Sequence, residues 1–104
     1  MSTQAPSFEL RGPGAAGVSG PLSFATAGAL LEPGASFIAG GEANSIDLAG
    51  VQGADSAGLA LLVEWLSLAQ AAGRPLHYLN VPNQLMQLAR LCDVEPLISG
   101  QASP

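Results

Sequence analysis

The stretch Ser45-Ile46-Asp47-Leu48-Ala49-Gly50-Val51, followed after three residues by Asp55-Ser56-Ala57-Gly58-Leu59, decides the fold. The first part is mainly apolar and predicts a buried strand. Asp and Ser are preferred at helix starts, because their side chains accept hydrogen bonds from first-turn N–H groups. A long helix is therefore predicted from Ser56 to Ala72, with Gly73 ending it. This strand-helix unit presents the Ser56 hydroxyl at a helix start, so Ser56 is the first functional candidate.

The residues before this unit predict a hairpin and a short helix. Phe8 to Arg11 alternates apolar and polar residues, and Gly17 to Leu22 predicts a second strand reached through the glycine-rich turn. Ser23 is expected to cap a helix from Phe24 to Leu31. Glu32-Pro33-Gly34 would stop that helix, and residues 35–40 would add one more helical turn.

The residues after the unit predict a fourth strand and another helix. Leu76 to Leu79 forms the strand, and Pro82 opens a helix to about Cys92, because Pro is favoured in a first turn. Leu97 and Ile98 fit either an edge strand or a helix remnant. Strands joined through crossover helices pair in parallel. The predicted fold class is therefore α/β, with a mixed sheet of four to five strands, an N-terminal antiparallel hairpin and helices packed on the sheet.

Length and composition limit the organisation and the function. The 104 residues suffice for one domain, expected at residues 7–98 with flexible ends at 1–6 and 99–104. The net charge is −5 and the only basic residues besides His77 are Arg11, Arg74 and Arg90, which argues against nucleic-acid binding. The absence of lysine excludes a P-loop lysine and Schiff-base chemistry. The single cysteine, Cys92, is expected to be a small buried hydrophobe.

No segment has the pattern of a signal peptide or a membrane span, because the longest apolar run, Leu59 to Val63, is far shorter than about 20 residues. We therefore expect a soluble cytoplasmic protein.

The predicted long helix carries two apolar stripes. Leu59, Leu62, Val63, Leu66 and Ala69 form a normal core stripe that faces the sheet. Leu61, Trp65, Leu68 and Ala72 form a second stripe on nearly the opposite side. Either neighbouring helices cover this second stripe, or it is a docking surface with Trp65 as its aromatic hot spot. In the second case, Trp65 fluorescence should change when a partner binds.

Other signals for chemistry are weak. The Gly-x-Gly-x-x-Gly match at residues 12–17 is not followed by a helix, so a dinucleotide site is not expected. A nucleophilic triad would need Ser56, the sole histidine His77 and either Asp47 or Asp55, but His77 lies in a predicted strand and no oxyanion-hole motif accompanies Ser56. One His and one Cys cannot supply a usual zinc site. No catalytic residue, metal or cofactor is therefore expected.

A partner contact is the better hypothesis for Ser56. Ala57 and Gly58 place little side-chain bulk around the hydroxyl, so the backbone of another protein could approach closely. Asp55 is either a plain helix cap or a residue that also orients this loop.

The sequence resembles the STAS domain family over about residues 7–98. The resemblance rests on Ile46 to Val51, on Asp55-Ser56-Ala57-Gly58-Leu59, and on Asn80-Val81-Pro82 followed by Leu85, Leu88 and Leu91. Within the family the chain is most similar to single-domain subunits of the Gram-negative Mla phospholipid ABC transporter. The glycine-rich first hairpin and the connection from Glu32 to Asn44 depart from the family pattern.

The resemblance implies a non-catalytic subunit that binds the cytoplasmic ATPase subunit, and through it the permease, at the cytoplasmic face of the inner membrane. The contact would use the Ser56 loop and the following helix, with partner-binding residues Asp55, Ser56, Ala57, Gly58, Leu61, Trp65 and Leu68. A second implication stays open, because Ser56 also matches the serine that a partner kinase phosphorylates in anti-sigma factor antagonists of this family.

Overall fold

The computed structural model describes residues 5–40 and 44–99. Most of the ends that were expected to be flexible, 1–4 and 100–104, lie outside the described residues. The elements in chain order are β1 (Ser7–Gly12), β2 (Ala15–Leu22), α1 (Phe24–Ala39), β3 (Ser45–Ala54), α2 (Ser56–Ala71), β4 (His77–Leu79), α3 (Asn83–Leu91) and α4 (Glu95–Ser99).

The described strands form one mixed sheet in the order β1-β2-β3-β4. β1 and β2 pair antiparallel, whereas β2–β3 and β3–β4 are parallel. The hairpin turn is tight, because Pro13 fixes its φ and Gly14 takes a φ of 74° that other residues rarely adopt. The prediction of an α/β fold with an antiparallel opening hairpin and a parallel second half is confirmed, with four strands.

The helices pack on one face of the sheet. Val18, Ile46 and Tyr78 point to this face and are buried. The Tyr78 hydroxyl donates a hydrogen bond to the Leu62 carbonyl of α2, and this burial raises the pKa of Tyr78 well above its usual value. Residues of the alternate register, such as Asp47, point to the other face of the sheet.

The first helix is longer than predicted. α1 runs unbroken through Glu32-Pro33-Gly34, so the prediction of a stop at these residues is wrong. Proline removes one backbone donor and usually breaks a helix interior. Here Pro33 and Ala29 are both exposed, so the carbonyl that loses its donor lies on the solvent side. Packing against α2 then keeps the helix continuous.

The contact between α1 and α2 explains the second apolar stripe of α2. Trp65 is 0% exposed and donates a hydrogen bond from Nε1 to the Leu31 carbonyl of α1 at 3.3 Å. A Cβ at Gly34 would overlap the indole, so glycine at this position makes room for Trp65. The Phe8 ring completes the contact edge-on, with ring centroids 5.8 Å apart.

The assignment of Trp65 and Leu61 to a docking surface is therefore contradicted, because both side chains are buried and α1 covers Trp65. Leu61 is 5% exposed, and Leu68 is half-buried against the same core. Trp65 fluorescence is accordingly expected to report the packing of α1 on α2, and not the binding of a partner.

The structure also decides two smaller expectations. Leu97 and Ile98 lie in α4, so the helix alternative holds for them. Cys92 is exposed, and the expectation of a buried thiol is wrong because the residue lies at the end of α3 beyond the last turn that packs on the sheet.

Candidate functional site

Three helices begin at one edge of the sheet. Because β2, β3 and β4 are parallel, their carboxyl ends meet at the same edge, and α1, α2 and α3 follow those strands directly. Ligands and partners of α/β proteins often bind at such an edge. We call the described residues 22–28, 53–60 and 80–85 the helix-start edge, and Ser56 lies within it.

Asp55 joins two of these helix starts. One carboxylate oxygen, Oδ1, accepts hydrogen bonds from the backbone N–H groups of Ala57 at 2.9 Å and Gly58 at 3.2 Å, which caps α2. The other oxygen, Oδ2, accepts from the Phe24 N–H at 3.0 Å, which is the first N–H of α1. Both sequence-based roles of Asp55 are thus present, because it caps its own helix and also fixes the loop against a neighbouring one.

These hydrogen bonds stabilise the ionised carboxylate. The Phe24 N–H contributes most to lowering the pKa of Asp55, and the Gly58 and Ala57 N–H groups add to it. The residue is therefore negatively charged over the whole physiological pH range.

Ser56 is exposed at the first position of α2, as predicted. Its hydroxyl has no hydrogen-bond partner among the residues that the structure describes. Ala57 is half-buried beside it. The serine can therefore meet another protein without first losing an internal contact.

Gly58 has a different role from the one proposed for it. It is buried, and a Cβ there would overlap the Leu22 carbonyl at the end of β2. The glycine lets α2 approach β2 closely, and it offers no surface to a partner. Of the seven partner-binding residues predicted, only Asp55, Ser56 and Ala57 lie at the surface of this edge.

Sequence reasoning missed Phe24. This residue opens α1 and is 86% exposed, the highest value among the large apolar side chains described. The sequence places Phe24 directly after a predicted helix cap at the carboxyl end of a strand, and this position could have identified it as a residue of the candidate site. The aromatic side chain at this edge is thus Phe24, whereas Trp65 is in the core.

The side chains of Gln84 and Asp47 make further polar contacts at the edge and on the adjacent sheet face. The Gln84 side chain of α3 accepts a hydrogen bond from the Ala54 N–H at 3.2 Å, which ties α3 to the end of β3, just before Asp55 and Ser56. Asp47 accepts hydrogen bonds from the Asn80 side chain at 3.0 Å and from the Ala49 N–H, and it pairs with Arg11 at 2.9 Å. These contacts, the Asn80 bond above all, lower the pKa of Asp47.

Ser56 and His77 are not close enough for a triad. His77 pairs with Ser45 at the start of β3, whereas Ser56 follows the end of this ten-residue strand. The paired strand β2 covers the length from Ser45 to Ala54 with the residues from Ala15 to Leu22, so at about 3.3 Å per residue the two positions lie more than roughly 20 Å apart. His77 is also exposed, because β4 places it on the uncovered face of the sheet.

Within residues 5–40 and 44–99, no cluster of His, Cys, Asp and Glu side chains has the geometry to hold a metal ion. None of the helices in those ranges combines the length and the hydropathy needed to span a bilayer.

Comparison with known sequences identifies a family. A family model described as "Mlab, STAS domain" matches residues 11–99. No curated protein sequence matches the chain significantly.

Solved structures share the fold. The anti-sigma factor antagonist SpoIIAA in its unphosphorylated form matches with a TM-score of 0.65 and 15% identity, covering 84% of this chain and 83% of that one. The Bacillus cell fate determinant SpoIIAA in the phosphorylated form matches with a TM-score of 0.67 and 15% identity. The match covers 90% of this chain and 88% of that one. The murine Slc26a9 anion transporter in the inward-facing state matches with a TM-score of 0.54 and 21% identity. The match covers 82% of this chain but 14% of the transporter. At these identities the likenesses show the fold alone.

Proposed function

The chain belongs to the STAS domain family, and we propose that it is a non-catalytic, MlaB-like subunit of a phospholipid-transport ABC complex. In this proposal it docks on the cytoplasmic ATPase subunit (MlaF-like) and reaches the permease and the inner membrane only through that subunit. The docking surface is the helix-start edge, centred on Ser56. Its role is to stabilise or regulate the ATPase, and it turns over no substrate itself.

The observation that supports this proposal most is the family-model match over residues 11–99, whose description is that of the Mlab type. The geometry at Ser56 agrees with a docking role. The serine is exposed, its loop is fixed by the Asp55 carboxylate, and the residues beside it are small. A rigid loop binds with a smaller loss of conformational entropy than a flexible one.

An alternative function is that of an anti-sigma factor antagonist switched by phosphorylation of Ser56. The structural likeness to SpoIIAA in its unphosphorylated and phosphorylated forms favours this candidate. A phosphate on Ser56 would add a charge of about −2 beside the ionised Asp55, and the repulsion would weaken a contact made there.

One pair of measurements separates the two functions. The protein is expressed with an affinity tag in its own host, and the purified material is tested for a stoichiometric ABC ATPase subunit and for phosphate on Ser56. Co-purification of the ATPase with unmodified Ser56 is the expected result. Stoichiometric phosphate on Ser56, together with a bound kinase and no ATPase, would replace the transporter function with the switch function.

A further inference from the structure

Phe24 is an apolar side chain in an unusual place. Single exposed hydrophobic residues are common on protein surfaces, so the 86% exposure of Phe24 does not by itself indicate a binding site. What distinguishes Phe24 is the connection of its backbone to the Ser56 loop. Its N–H lies 3.0 Å from Oδ2 of Asp55, the residue that directly precedes Ser56.

The Asp55 carboxylate sets the distance between Phe24 and Ser56. One oxygen holds the start of α1 and the other holds the start of α2. The backbone contact between Asp55 N–H and the Leu22 carbonyl, at 3.2 Å, joins the same two segments. Phe24 therefore cannot shift relative to Ser56 without breaking a charge-assisted hydrogen bond.

We infer that Phe24 is the apolar anchor of the docking surface, that it enters an apolar recess on the partner protein, and that Asp55 keeps it in register with Ser56. This inference rests on the proposed docking function and specifies the chemistry of the contact. Large aromatic side chains that enter pockets contribute most to interface affinity. The neighbours Ala25, Gly28, Ala57 and Ala60 are small, so the partner surface can approach the two helix starts closely.

The charge at this edge favours a protein as the occupant. Asp55 is the only charged residue in the helix-start edge, whereas none of the three arginines belongs to it. A membrane surface carrying anionic lipids attracts basic residues and would repel Asp55. A two-fold contact between copies of this chain would bring two Asp55 carboxylates together, which is also unfavourable. An uncharged, concave protein surface would not repel Asp55 in either of these ways.

Calorimetric titration of the purified ATPase subunit tests the anchor. Phe24→Ala should weaken binding about thirtyfold, the effect of removing a hot-spot aromatic side chain. Leu91→Ala is the matched control, because Leu91 is 84% exposed but lies at the far end of α3. It should leave affinity unchanged. Both variants should unfold at the same denaturant concentration as wild type, since both side chains are exposed.

The outcomes separate the inference from the function on which it rests. If the wild type does not bind the ATPase, the proposed function fails and the anchor fails with it. If the wild type binds and Phe24→Ala binds equally well, only the anchor is overturned. A dimer, or binding to phosphatidylglycerol vesicles, that disappears in Phe24→Ala would assign Phe24 to a second copy or to lipid and would also overturn the inference.

The positioning role of Asp55 has its own test. Asp55→Asn keeps one acceptor oxygen for the α2 cap but presents an NH₂ group toward the Phe24 N–H. It should weaken ATPase binding in the wild-type background and have a clearly smaller effect when combined with Phe24→Ala. Equal effects in the two backgrounds would show that Asp55 does not act through Phe24.

Discussion

Asp55 is the residue on which the local geometry of the helix-start edge depends most. Its carboxylate is held by three backbone N–H groups from two helices. The sequence predicted its place at a helix start, because Asp is a preferred cap and an apolar strand precedes it. The hydrogen bond to Phe24 could not be predicted, since the two residues are 31 positions apart and meet only when the strands pair.

The lowered pKa of Asp55 predicts how the stability of the protein depends on pH. A carboxyl whose pKa is lower in the folded state stabilises the protein above its unfolded pKa, about 3.9, and this stabilisation is lost as the pH falls through the folded value. The difference in urea midpoint between wild type and Asp55→Asn should therefore be constant above about pH 5 and shrink below about pH 3.9.

Asp47 has a lowered pKa too, but it is present in both proteins and so does not affect this difference. A difference in midpoint that is the same at pH 3 and pH 7 would contradict the role assigned to the ionised Asp55.

A charge at position 56 is expected to weaken docking. Ser56→Asp places an unpaired carboxylate in the contact, next to the ionised Asp55, and its desolvation should reduce the affinity for the ATPase by about tenfold or more. Ser67→Asp is the control, because Ser67 is also exposed on α2 but lies about three turns from Ser56. Equal affinities of the two variants in calorimetry would remove Ser56 from the contact.

At the scale of the elements, the pairing of α1 with α2 is the feature that the sequence left ambiguous. The sequence shows the second apolar stripe of α2. A covering helix and a binding partner would both require the same pattern of apolar residues, so the sequence alone does not distinguish them. The choice depended on α1, whose continuity was obscured by Pro33. A proline is compatible with a helix when it lies on the solvent-facing side and tertiary packing stabilises the remaining turns, as in α1.

Gly34 provides a test of this pairing. Gly34→Ala should destabilise the protein by about 1–3 kcal/mol, because its Cβ would overlap the buried indole of Trp65. Gly28→Ala in the same helix is the control. A Cβ at Gly28 meets nothing within 4 Å, so alanine should leave stability unchanged or raise it by up to about 1 kcal/mol.

Urea unfolding followed by Trp65 fluorescence measures both variants. If Gly34→Ala proves as stable as Gly28→Ala, α1 does not cover Trp65 in the way described. The indole would then again be a candidate for a surface contact.

At the scale of the whole molecule, the parallel pairing of β2, β3 and β4 determines where the candidate site lies. The order of strands and helices was predictable from periodicity and helix signals, and it follows from this order that α1, α2 and α3 begin at one edge. Which side chains are exposed there was not predictable. Gly58 and Trp65 were expected at the surface and are buried, whereas Phe24 and Cys92 are exposed. Burial depends on contacts between distant segments, which local patterns do not specify.

Hydrogen–deuterium exchange of the protein, free and in complex with the ATPase subunit, tests directly whether the helix-start edge is the docking surface. A partner that covers the helix-start edge should exclude water from its backbone N–H groups and so slow their exchange. We expect new protection in residues 23–28 and 55–60 and unchanged exchange around Leu91. Protection confined to the Leu91 end of the molecule, with residues 55–60 unaffected, would contradict docking through the helix-start edge.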